Sequence, residues 1–174
     1  MKRLLLLALL AFSASPAMAQ VGTQAIAPPA KFVPAPGMVG TFMFEDLKGV
    51  EQSIMPYVGQ SVLVVNFWAT WCPPCVKEMP SLDRLAALTK GTNIRVFAIA
   101  EQAEIAEVSG FFTRAKIATL TPYIDRKMQA GHAVPMRGLP TTIIIDSGGR
   151  MIGHVEGDLD WAAPDVVAWI RSIQ

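Results

Sequence analysis

Hydrophobic positions set out the elements of this chain. Thr41 to Leu47 alternates, with Phe42, Phe44 and Leu47 set against Met43, Glu45 and Asp46, before a turn at Lys48-Gly49; this predicts an edge strand, and Val50 to Tyr57 a second short one. Val62 to Phe67 is apolar at every position but Asn66, the character of a strand covered on both faces and central in its sheet. The period then changes. Val76, Met79, Leu82, Leu85 and Ala86 recur at helical spacing, behind Pro73 and Pro74, which suit a first turn whose amide hydrogens lack internal partners. Pro80 inside that pattern predicts a kink.

Ile94 to Ala100 reads as a second buried strand, and Ile105, Val108, Phe112 and Ala115 give an amphipathic helix over 103–116. A short strand over 120–124 and a brief helix over 125–130 follow. Thr141 to Ile145 is a strand that Ser147-Gly148-Gly149 turns into an antiparallel neighbour, Arg150 to Glu156. Asp160 is placed to cap a last helix with Pro164 in its first turn and Val166, Ile170 and Ile173 on its inner face. Strand, helix, strand, helix, hairpin and helix in that order predict an α/β fold: a central mixed sheet flanked by helices, with an extra strand or hairpin at its N-terminal side.

Ahead of these elements, residues 1–19 read as a signal peptide: Lys2 and Arg3, an apolar core from Leu4 to about Phe12, and small residues ending in Ala17, Met18 and Ala19. The apolar core is shorter than the ~20 residues needed to span a bilayer, and the leader carries no cysteine for a lipid anchor. Residues 20–40 are rich in Pro and Ala without periodicity and are expected to form an extended linker, leaving 41–174 as one domain. Without Lys2 and Arg3 the chain has 13 basic and 14 acidic side chains, so no basic surface for nucleic acid is implied.

The export signal changes how the two cysteines read. Exported proteins use disulfides to close long loops, yet Cys72 and Cys75 are separated by two residues and would staple almost nothing. They lie where the buried strand hands over to the helix, so a working dithiol is the better reading. Cys72, at the start of the helix, would have its thiolate stabilised by unpaired backbone N–H groups and the helix dipole, making it the attacking nucleophile. Cys75, one turn in, suits a resolving thiol. A metal site would need further ligands, and only His132 and His154 remain as strong donors; both read as ordinary surface or loop residues, and no metal or cofactor is expected.

The run NFWATWCPPCVKEMP, followed about 65 residues later by GLPTTIIID, closely resembles the thioredoxin superfamily, and within it the exported TlpA/ResA/CcmG-type thiol-disulfide oxidoreductases. The resemblance extends from about Gly40 to the C-terminus and implies the thioredoxin fold. It implies a cis peptide before Pro140, with the backbone of Leu139 beside Cys72 and open to an extended substrate strand. It also bears on the proton carrier. Asn66 stands where similar thioredoxins have a buried Asp, and an amide cannot take a proton. Glu78, three residues after Cys75, reads from spacing alone either as a proton carrier or as a solvated helix charge; ResA-like proteins carry a Glu at the matching place, which favours the carrier.

Trp71 is expected in the docking surface, Trp68 in the core and Lys77 in solvent, while Glu101 stands where it could border the site. Pro73 and Pro74 offer neither charge nor amide hydrogens to the thiolate and should make the dithiol reducing. The expected function is a monomeric periplasmic reductase of client-protein disulfides, such as those of apocytochrome c or copper-site cysteines, supplied with electrons by a membrane protein of DsbD or CcdA type. The alternatives are a disulfide oxidase or isomerase, and a copper-handling module with the dithiol as ligands.

Overall fold

The computed structural model describes residues 26–134 and 136–174; the leader expected over 1–19 lies outside them. Among the described residues eight strands form one sheet, in the spatial order β1 (Phe32–Met38), β8 (Arg150–Glu156), β7 (Thr141–Ile145), β4 (Val62–Trp68), β5 (Ile94–Glu101), β6 (Pro122–Asp125), β2 (Met43–Glu45) and β3 (Glu51–Ser53). The central strand β4 (Val62–Trp68) is buried at every residue, runs parallel to β5 (Ile94–Glu101) and antiparallel to β7 (Thr141–Ile145). Beyond β5 lies β6 (Pro122–Asp125), parallel, and then the hairpin β2 (Met43–Glu45) and β3 (Glu51–Ser53). Asp46 ties that hairpin's turn by accepting from the amides of Lys48 and Val50, and Gly49 takes the left-handed backbone the turn requires.

Alternation along β4 divides the core. Val62, Val64 and Trp68 face α1 (Pro73–Leu88), α2 (Ile105–Ala115) and α4 (Pro164–Ser172), whose Met79, Leu82, Val108, Phe112 and Ile170 are buried there. Leu63, Val65 and Phe67 face Phe42, Phe44 and Ile54 from the hairpin side, with Ala130 of the short α3 (Gln129–His132). This is the thioredoxin arrangement with the expected hairpin added. Among the described residues no helix is long and apolar enough to cross a membrane.

Several elements differ from expectation for local reasons. Within the Pro- and Ala-rich stretch, where a linker was expected, Phe32–Met38 forms a strand, β1, paired antiparallel with β8 (Arg150–Glu156). Its prolines cost little there because β1 is an edge strand, with a register shift between Pro34 and Gly37. The brief helix starts at Gln129 rather than Asp125, since the Asp125 carboxylate instead accepts from the amides of Lys127 and Ala130. The last helix is capped by Ala163, while Asp160 accepts from the amide of Ala162 in the turn before it. Helix α1 is continuous through Pro80. His154 is buried in β8 rather than lying at the surface or in a loop.

Candidate active site

Strand β4 ends at Trp68, and after three intervening residues the chain enters α1 with Cys72 as the N-cap residue. Helix N-termini leave backbone N–H groups unpaired. Here Pro73 and Pro74 occupy the first two positions and have none, and the Val76 amide donates to the Cys72 carbonyl at 3.0 Å. Of the first-turn amides only that of Cys75 remains, and the Cys72 side chain accepts no capping hydrogen bond. Cys72 and Cys75 are joined by a disulfide, Cys72 near the surface at 5 % exposure and Cys75 fully buried.

Cys72 opens onto a cleft of about 560 Å³ that it shares with Trp71, Pro73, Pro74, Leu139 and Glu101. Trp71 is 65 % exposed at this rim, whereas Trp68 is buried against Phe111 and Phe112. The Leu139-Pro140 peptide is cis, and the Thr141 hydroxyl donates to the Gly138 carbonyl at 2.7 Å, which ties the loop before β7. The cleft thus brings together Cys72, both prolines, Trp71 and Leu139, all singled out by the sequence.

Glu78 lies behind the pair. It is buried on α1, and its carboxylate accepts from Asn66 Nδ2 at 2.8 Å, Trp161 Nε1 at 3.0 Å and the Leu159 amide at 3.1 Å. Burial outweighs those three donors and lifts its pKa to about 7. A carboxylate so poised exchanges protons near neutral pH, which an ordinary solvated glutamate does not. Asn66, which also donates to Thr142 Oγ1 at 2.8 Å, connects the central strand to the helix carboxylate. Glu78 lines a second cleft, with Lys77, Lys31 and Asp158. The two lysines pair with Asp158, so Lys77, read as solvated, is exposed but engaged.

A family model described as Redoxin matches residues 30–167, most of the chain and all of the elements around this dithiol. The chain belongs to the Redoxin family. The thiol-disulfide oxidoreductase ResA of Geobacillus kaustophilus is 32 % identical over 133 residues, covering 76 % of this chain and 74 % of the relative. Among solved structures, the pneumococcal exposed lipoprotein thioredoxin Etrx1 of Streptococcus pneumoniae superposes with a TM-score of 0.64 at 19 % identity, over 77 % of this chain and all of its own. A secreted Mycobacterium tuberculosis disulfide oxidoreductase homologous to Escherichia coli DsbE gives 0.61 at 21 % identity, over 73 % and 95 %. This Redoxin is a thiol-disulfide oxidoreductase of ResA type, and Cys72 and Cys75 are its disulfide-forming pair.

Parts of this Redoxin's site escaped the sequence reading. Trp161 and the Leu159 amide reach Glu78 from the loop before α4, a juxtaposition that spacing does not show. Glu101, expected to border the site, does line the Cys72 cleft; what the sequence did not show is that it is 1 % exposed with neither carboxylate oxygen hydrogen-bonded, and that its pKa rises to about 8 through burial and the neighbouring Asp125. The signal for it in the sequence is a charge closing the apolar run from Val96 to Ala100.

Proposed function

We propose that this oxidoreductase works as a reductase of disulfides in client proteins outside the cytoplasm. The observation that carries the reading is the first turn of α1, where two prolines remove two of the backbone N–H groups that a helix start offers a thiolate, the Cys72 side chain accepts no capping hydrogen bond, and no charged side chain lies between the cysteines. A thiolate with few stabilising partners makes the reduced pair a better electron donor.

The Cys72 thiolate attacks a client disulfide held in the cleft between Trp71 and Leu139, forming a mixed disulfide and releasing one client sulfur. Glu78, with its pKa near 7, takes the proton of Cys75. The Cys75 thiolate then attacks the Cys72 sulfur of the mixed disulfide, expelling the second client sulfur as a thiolate and closing the Cys72–Cys75 disulfide. The leader-like residues 1–19 support export to an oxidising space. There the oxidised pair must be recharged, and a membrane electron donor of DsbD or CcdA type fits that need. Apocytochrome c and copper-site cysteines are the client classes that the resemblance supports, with the enzyme acting as a monomer.

Two measurements test this. Equilibration with glutathione should give a reduction potential nearer the roughly −270 mV of thioredoxin than the roughly −120 mV of DsbA, and the latter value would make the protein an oxidase. Cys75→Ser expressed in the native host should accumulate mixed disulfides between Cys72 and its clients, and recovery of none would overturn the reductase reading.

A further inference from the structure

Glu101 sits at the carboxyl end of β5, in register with Asp125 of β6, where the strand ends of an α/β sheet meet the Cys72 cleft. The two acids are treated differently. Asp125 accepts from backbone amides at 3.2 and 2.6 Å, whereas both Glu101 oxygens are buried without a partner. Such a group is costly to bury and rare in a folded protein. Residue 131 is a glycine beside it: a Cβ there would stand 3.1 Å from each Glu101 oxygen and 2.6 Å from the Met136 methyl. The carboxyl therefore lies against α3 with both oxygens buried, while Glu101 as a residue forms part of the wall of the cleft that Cys72 shares.

Disulfide reduction needs two proton movements, and Glu78 accounts for one. It lines the cleft on the Lys77 and Asp158 side and serves Cys75. The other arises on the client side: when Cys72 attacks, a client sulfur leaves as a thiolate and must be protonated to prevent its return. We propose that Glu101 is the acid that protonates the departing client thiolate. The proposal rests on the reductase reading above.

In that step the bond between the client sulfurs breaks as the Cys72–client bond forms. The electron pair goes to the departing sulfur, and the Glu101 carboxyl proton moves to it, leaving a client thiol and a Glu101 carboxylate that regains its proton from water. A buried carboxyl facing Asp125 stays protonated at neutral pH and so has the proton to give. The other charged or titratable groups on the cleft are His132 at the end of α3, Arg137 in the following loop and the Cys72 thiol. Arg137 is turned to Glu156 at 3.9 Å.

The test uses the full-length reduced protein and two small disulfides: an aromatic one, whose thiolate is a weak base and leaves unprotonated, and an alkyl one, glutathione disulfide, whose thiolate needs the proton. In Glu101→Gln the ratio of the alkyl to the aromatic rate constant should fall about 10²-fold, the lower end of what a positioned acid contributes. Glu101→Asp, which keeps the acid but draws it back, should recover part of that ratio. In the wild type the ratio should decline as pH rises past about 8, and in Glu101→Gln it should lose that decline. An unchanged ratio in a Glu101→Gln protein that is folded by circular dichroism overturns the proposal. A wild type that reduces neither disulfide overturns the reductase reading beneath it, so the two failures are distinct.

Discussion

Replacing Glu78 by Gln removes one titration and changes little else. The amide is isosteric, its oxygen can still accept from Trp161 and Leu159, and the Asn66 amide oxygen, now without a partner, can turn to accept from the new NH₂. The wild-type carboxyl has its pKa raised from 4.5 to about 7, with burial as the largest cause. A raised folded-state pKa means that the native protein binds the proton more tightly than the unfolded chain. That contribution to stability is complete below the unfolded value and is lost as pH rises through the folded one. About 2.5 pH units at 1.36 kcal/mol each give a loss of about 3 kcal/mol between pH 4.5 and pH 8 from this group alone. Urea melts of the oxidised wild type and Glu78→Gln at half-unit intervals measure it. Glu101 titrates in both proteins and cancels in the difference. The variant should be more stable than the wild type by about 3 kcal/mol at pH 8 relative to their difference at pH 4, equivalent to about 10 °C in Tm for a domain of this size. A difference that stays flat across the window refutes the buried, proton-exchanging Glu78. In the reduced variant, the pH profile of Cys75 alkylation should also move, and unchanged titration of both thiols removes its role as proton carrier.

Two further substitutions separate folding from docking. In Gly153→Ala the new Cβ would stand 2.4 Å from the Val33 carbonyl oxygen and 2.5 Å from the Phe32 ring, so β1 must shift, at a cost of about 1–3 kcal/mol in thermal or urea melts; a loss below about 0.5 kcal/mol would mean that β1 does not lie against β8 there. Trp71→Ala truncates a side chain 65 % exposed at the cleft rim, so stability should change by no more than about 0.5 kcal/mol while kcat/KM for a protein disulfide falls about tenfold; an undiminished kcat/KM removes Trp71 from the docking surface.

What the sequence could and could not disclose follows from how each feature is encoded. Strands β4 and β5 and helix α1 were legible because burial on both faces or on one stripe writes a period into the chain. Strand β1 was not, because Pro34 and Pro36 erase the pattern of a strand, and the surface that accepts it is marked instead by Gly153, more than a hundred residues away. The dithiol and its prolines are contiguous and could be read directly. Glu78 was half legible: spacing placed it beside Cys75, but its burial depends on Asn66 and on Leu159 and Trp161, which only the closed fold brings together. The contact with Asn66 ties the central strand to the carboxylate proposed as the proton carrier. The strand position takes part in the site as a hydrogen-bond donor to the helix carboxylate. Glu101 was the least legible, since an acid ending a strand reads alike whether it finds a partner or not, and its two unpartnered oxygens become visible only when α3 closes over them.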